Sequence, residues 1–439
     1  MTTVAGTAPD ESAPNAAGRI GALIRSTEVD LRQFGMVLAL IVIWIGLGIA
    51  NPTILQPVNF ITFSVQASGI AVLATGMVLV IVSRNIDLSV GAVVGFIGMF
   101  YAEFMAHFLP ENLGVPIGHP LVWIVALGCG VLLGIVIGAY QGFLIAYVGI
   151  PSFVVTLSGL FLFRGLIWQL SGGTTVAPND ATFNLIGGGP QGSLGGILAW
   201  GLGIILAAAV LGILWNARRT RRKYGFPLRP MWAEVAIAVV SVAAIFFGVG
   251  VANSYHWPPG LATQYAQAHG ISEANGPLQI ESGIPIPLLI VMGVTIFMTF
   301  LATRRRYGRD VYAYGGNPDA AALAGINTRW TIMKTFMLMG ILCAISAAIA
   351  SARLNGGTLD LGTGYELYVI AAAVIGGTTF EGGVGSIPGA IIAGLLVGGF
   401  ENVLQLYRGV TERDLYVMLL LFAFLVFRPD GLFARKGGH

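Results

Sequence analysis

The chain has 439 residues, 56% of them hydrophobic and only 10% charged, with a formal net charge of +3. A soluble globule carries about a quarter charged residues and keeps a polar skin, which this composition cannot supply. The small net charge leaves no electrostatic footprint for nucleic acid.

Residues 1–33 are rich in Ala, Pro, Ser, Thr and Gly and hold no apolar h-region, so they read as a disordered tail and not as a cleavable signal. Apolar runs long enough to cross a bilayer follow along the whole chain. The clear ones are Phe34–Ala50, Val65–Ser83, Leu121–Gln141, Gly195–Asn216, Trp232–Ala252, Ile286–Thr303 and Thr331–Ser351. Weaker or shorter ones are Leu88–His107, Phe153–Leu170, Glu366–Gly377, Ser386–Leu406 and Leu415–Phe427. The expectation is an all-α polytopic bundle of about twelve spans, in which short Gly-rich segments are open to a re-entrant reading.

Most of the 23 basic residues cluster in the N-terminal tail, in Arg218–Arg229, in Arg304–Lys334 and at the C-terminus. The positive-inside rule makes all these places cytoplasmic, and alternating spans from an inside N-terminus put them on one side. Both termini are therefore expected in the cytoplasm. The opposing loops Leu109–Pro120, Ser171–Leu194 and Asn253–Pro285 contain no Lys or Arg. The resulting divisions are a tail (1–33), a first transmembrane half (34–217), an insertion with a basic loop, an extra span and a long periplasmic loop (218–285), a second half (286–428) containing a cytoplasmic loop (304–330), and a short tail (429–439).

Glycine is abundant, 62 residues, and lies inside apolar runs. Gly130, Gly134, Gly138 and Gly142 stand four apart and make one smooth helical ridge, suited to close backbone packing in lipid. Asp87–Gly95 resembles Glu381–Gly389, each opening a span in the same orientation. The pair reads either as a parallel repeat with broken helices near mid-membrane or as chance likeness between Gly-rich segments.

Enzyme readings find little support. The five histidines lie at span ends, in loops or at the terminus, there is no HExxH, and no G-x-x-x-x-G-K-[ST] phosphate loop occurs. No catalytic residue and no metal site is assigned. Cys129 and Cys343 read as buried bystander thiols. What remains is a set of charges in or beside spans: Arg84, Asp87, Glu103, Arg164, Glu366, Glu381 and Glu401. Such a charge faces a watery path or a partner. Arg84-Asn-Ile-Asp87 reads either as a polar gate or as an interfacial Arg followed by an N-cap Asp. Arg164 reads as a deep pairing residue or as one that snorkels.

The stretch Gly308–Asn327 follows three arginines. Pro318 fits N1 of a helix of about two turns, with Asn317 as its N-cap and Gly325 as its terminator. An Ala-rich face (Ala320, Ala321, Ala322, Ala324) fits a groove on another protein; otherwise this is an ordinary loop.

Together, Asn85-Ile-Asp-Leu-Ser-Val-Gly91, Ile150–Gly159, Arg164-Gly165, Gly173–Pro178, Gly308–Asn327 and Ile375–Ser386 resemble, in order, the permease subunits of bacterial ABC-type sugar importers of the ribose, galactose and xylose group. That resemblance implies a multi-pass protein of the bacterial cytoplasmic membrane that moves a monosaccharide and hydrolyses nothing itself. ATP and Mg would sit on a separate ATPase subunit. Further implied partners are a periplasmic sugar-binding protein and a second permease copy, with lipid around and no nucleic acid. Arg84, Asn85, Asp87, Ser89, Thr156 and Arg164 are the candidates for the substrate pathway, although no transferable motif marks the sugar contacts. Gly316, Asn317, Asp319, Ala320, Ala321 and Gly325 fall on the coupling helix that docks on the ATPase. The insertion is similar to that of D-xylose permeases. The nearest alternatives are a permease for branched-chain amino acids or another small polar solute, and a self-sufficient secondary transporter.

Overall fold

The computed structural model describes residues 52–271 and 278–408, with isolated helical positions at 45, 46, 48, 49 and 419. The tails 1–33 and 429–439 and most of the expected spans Phe34–Ala50 and Leu415–Phe427 lie outside the described residues. Among those described, the chain is helical, and the only pairing of extended backbone is three isolated antiparallel bridges.

Eight helices are long and apolar enough to cross a membrane. They are α1 (Pro57–Val82), α2 (Val90–Leu113), α3 (Val122–Val148), α4 (Ser152–Ser171), α5 (Gly196–Lys223), α6 (Met231–Asn253), α8 (Ile286–Arg304) and α11 (Thr328–Leu354). Between them lie α7 (Pro259–Ala268), α9 (Arg306–Gly316) and α10 (Pro318–Leu323). The shorter α12 (Tyr365–Ile375) and α13 (Ile387–Arg408) follow α11.

α1 opens with Pro57 at its first turn and is buried along nearly its whole length. Its apolar residues therefore run all round the helix, with no polar face. α11 runs antiparallel beside it, and the glycine ridge of α3 seats against α11. A side chain at Gly134 would meet the Gly340 carbonyl, one at Gly138 the Phe336 carbonyl, and one at Gly142 the Cα of Met333. Lipid tails offer no hydrophobic gradient, so this close backbone approach is what holds α3 to α11. By contrast α5 and α6 form a peripheral hairpin, largely exposed, tied at its basic end by Arg218 Nη1 to Glu234 Oε2 at 2.6 Å.

α5 and α8 start from one paired segment, where the Leu194 N–H donates to the Ile284 carbonyl and the Gly195 N–H to the Ser282 carbonyl, each at 2.9 Å. Their Arg-rich C-termini consequently lie at the same end of the bundle. α9 and the start of α11 share that end.

One expected span is only partly helical. Glu366–Gly377 forms only the 11-residue α12, which rises about 16 Å and covers roughly half of the hydrocarbon core. Residues 355–364 reach its start as irregular chain running back along α2. Gly357 lies against Met99 and Ala102, and Leu361 against Gly95 and Gly98. Composition is equally apolar for a crossing helix and for a half-helix wrapped in protein. α13 occupies the expected Ser386–Leu406.

The packing gives a test. Gly138→Leu should force α3 from α11 and cost about 1–3 kcal/mol, read as a lower thermal midpoint in detergent. Gly128→Leu, on the same helix with open space around it, should leave the midpoint unchanged.

Candidate functional site: two helix N-termini inside the bundle

α1 ends where Arg84 takes a left-handed φ of +58°. The N–H groups of Arg84 and Asn85 turn back onto the carbonyls of Ile81 and Val80, at 2.8 and 3.1 Å. The chain then threads between α3 and α4 before α2 begins. Ile86 is gripped from α4: its N–H donates to Ser152 Oγ at 3.2 Å, and Thr156 Oγ1 donates to its carbonyl at 3.2 Å. Asp87 Oδ1 accepts from the Ser89 N–H (2.9 Å) and the Ser89 hydroxyl (2.7 Å). From α3, Gln141 Nε2 donates to Ser89 Oγ at 2.8 Å. Asn85 closes back on the Ser83 carbonyl at 2.7 Å.

Asn85, Asp87, Ser89 and Thr156 are thus brought together, and all are buried. They form a packed polar knot that positions the start of α2 and do not wall an open channel. Ser152 and Gln141 complete it. Neither was singled out in the sequence, although Gln141, a lone amide ending an apolar run, was a readable signal.

α2 and α12 begin within about a turn of each other along α11, just past its midpoint. Cys343 Sγ lies 3.9 Å from the Val90 carbonyl, and a Cβ on Gly69 of α1 would sit 3.0 Å from Ser346 Oγ and 3.8 Å from the Tyr365 ring. Small residues allow the contact: a side chain at Gly91 would strike the Glu366 carboxylate and the Gly362 carbonyl, and one at Gly95 the Leu361 carbonyl. Arg164, on α4, donates to the Leu361 carbonyl at 3.0 Å, one α2 turn beyond Glu366. It is therefore a deep pairing residue that fixes the irregular chain leading into α12. Helix N-termini carry partial positive charge, so acidic groups suit both ends. Asp87 takes that role at α2 and Glu366, in the first turn, at α12. Glu366 Oε2 has no hydrogen-bond partner among the described residues, and neighbouring Asp360 and Thr363 are exposed.

Arg84 stands apart from this cluster. Its Nε and Nη2 donate to the carbonyls of Gly315 (2.7 Å) and Gly316 (3.0 Å), at the C-terminus of α9. It does not face Asp87, and the opposite charges three residues apart serve different ends of the loop. Just beyond, α10 has the expected ends. Asn317 Oδ1 accepts from the Ala320 N–H at 3.0 Å, and Gly325, at φ +81°, follows a C-terminus closed by bonds from Gly325 to Ala322 and from Ile326 to Ala321. Ala321 packs inward, while Gly316, Asn317, Asp319 and Ala320 are exposed and Leu323 is 90% exposed. Burial pushes the phenol of Tyr312, on α9, up to about 12, which keeps it a neutral donor to the Gly385 carbonyl at 3.0 Å.

A family described as "Branched-chain amino acid transport system / permease component" matches residues 59–427. This chain belongs to that permease family. Among its relatives, the "Xylose transport system permease protein XylH" of Haemophilus influenzae is 33% identical over 87% of this chain and 91% of its own. That of Escherichia coli is 34% identical over 77% and 76%. The "D-allose transport system permease protein AlsC" of Escherichia coli is 27% identical over 88% of each. No solved structure matches the chain. In this permease the Gly173–Pro178 motif has a mechanical reading. Val176 and Gly357 exchange N–H···O bonds of 3.0 and 2.9 Å, clamping the chain as it leaves α11 for α12.

The polar knot predicts that Asp87→Ala, which leaves the buried Ser89 N–H and hydroxyl without their acceptor, lowers stability by about 1–3 kcal/mol. Asp87→Asn keeps an acceptor oxygen and should recover most of the thermal midpoint measured in detergent.

Proposed function

We propose that this chain is the membrane-spanning permease of an ATP-driven importer and translocates a monosaccharide, D-xylose or a close relative. The observation that carries this reading is the alignment with xylose permeases at 33–34% identity over most of both chains. By this reading the Arg-rich end of the bundle is cytoplasmic, both termini lie there, and the chain makes about twelve crossings. α10 at that end is the coupling helix for a separate ATPase that holds ATP and Mg, and a binding protein delivers sugar to the opposite face. The divisions expected from the sequence are kept in this reading, with 218–285 as an insertion; the peripheral hairpin of α5 and α6 straddles its first boundary.

Asp360, Thr363 and Glu366 cannot face hydrocarbon without a cost of several kcal/mol per charge. A second copy of the chain against this face would enclose a watery, hydroxyl-compatible path between the copies. The buried Asn85–Ser89 knot, Thr156 and Arg164 would then hold the helix ends that border it.

Leu323 supports the docking role of α10, because an apolar side chain that exposed on a cytoplasmic helix fits a groove on a partner. Leu323→Asp should weaken association with the ATPase by about 2 kcal/mol or more, measured by co-purification. Gly325→Val, forced toward a φ its side chain disfavours, should reduce hydrolysis stimulated by D-xylose-loaded binding protein. Wild-type behaviour of both variants would make α10 a plain connection. Stimulation by leucine-loaded protein in place of xylose would transfer the chain to amino acid import.

A further inference from the structure

The Gly315–Gly316 turn that delivers the chain into α10 is also where backbone from two distant places meets. The Gly383 N–H donates to the Val82 carbonyl at 2.9 Å. Arg84 holds the carbonyls of Gly315 and Gly316, and Tyr312 holds that of Gly385. The fit leaves no slack. A Cβ on Gly315 would overlap the Val82 carbonyl oxygen and lie 2.5 Å from the Gly383 nitrogen, and one on Gly382 would lie 2.5 Å from Arg84 Cγ.

From this joint the chain leaves in two directions. Ser83–Ser89 leads up to the N-terminus of α2, and residues 376–385 lead back to the C-terminus of α12. Both helices whose N-termini meet inside the bundle are therefore tied to the turn that carries α10.

Arg84 adopts a left-handed φ that side-chain-bearing residues rarely take and that persists where surroundings over-determine it. Gly316 is exposed and its carbonyl can be satisfied by water, whereas Gly315 is buried and its carbonyl depends on Arg84. The planar guanidinium, however, spans two successive carbonyls, which a lysine ammonium does as a single point donor at best.

We propose that Arg84 is a positioning residue that transmits displacement of α10 to α2 and α12 together, so that one movement imposed by the ATPase reaches both helix N-termini. This rests on the importer reading above.

The test uses the complete transporter, permease with its ATPase and binding protein, in proteoliposomes with D-xylose. Arg84→Ala, which leaves the buried Gly315 carbonyl without its donor, should lower the thermal midpoint by a few degrees yet still assemble with the ATPase. Its sugar uptake per ATP hydrolysed should fall about tenfold or more. Arg84→Lys should restore part of that ratio. Tyr312→Phe, which removes one hydroxyl from the same joint, should lower the ratio in the same direction and serves if Arg84→Ala does not assemble. Wild-type uptake per ATP in Arg84→Ala, or in Tyr312→Phe where the alanine variant fails, overturns the joint while leaving the importer intact. Absence of xylose-stimulated hydrolysis in the wild-type complex overturns the importer reading and the joint with it.

Discussion

A helix that begins inside a bilayer presents backbone N–H groups to a medium without water. α2 and α12 both do so, and the bundle is arranged around covering them. Asp87 and Ser89 occupy the start of α2, Glu366 and the turn at Gly364 the start of α12, and Arg164 satisfies the carbonyl of the irregular chain between. Those groups are themselves polar, so they too need enclosure, which α1, α3, α4 and α11 provide. Close enclosure in turn needs small residues, hence the glycines at 91 and 95 of α2 and the ridge on α3 against Gly340. α5 and α6, which cover no helix end, are free to stand at the periphery.

The same constraint supplies a functional surface. Helix ends held by hydrogen bonds have discrete arrangements, unlike a continuous apolar helix that only slides. Two of them lie side by side, with exposed Asp360 and Thr363 beside them; on the proposed reading this is where a hydroxyl-bearing substrate would pass. The supports converge on Gly315–Gly316 at the basic end. Energy applied at α10 thus has a short covalent and hydrogen-bonded route to the middle of the bundle.

Much of this was legible in the sequence, and the limits have physical causes. Span positions were readable to within a few residues for most helices, because a bilayer demands a fixed apolar length; α1 begins earlier than its apolar run, at Pro57. The ends of α10 were readable because capping is local: Asn317 and Gly325 act on neighbours within three or four residues. The Asn85–Ser89 motif was recognisable as a unit. Its task as a packed knot depends on Gln141 and Thr156, which only folding brings near. Arg84 could not be placed, since nothing in a charge names a carbonyl 231 residues away. The segment around Tyr365–Ile375 was read as an ordinary span because hydropathy reports burial in an apolar medium and not whether the chain crosses as helix throughout; here only the second half of the crossing is helical. The Asp87–Gly95 and Glu381–Gly389 segments do open helices of the same orientation. They begin at different depths, however, and the helix broken inside the bundle in the second half is α12, not α13.

The central claim is that the start of α12 lies at bilayer depth yet faces a water-filled path. Collision accessibility of a spin label at residue 363 tests it directly, with the complete transporter in lipid. The account predicts that a water-soluble nickel complex reaches the label more readily than oxygen does from the lipid. High oxygen and low nickel accessibility would place Thr363 against hydrocarbon and contradict it.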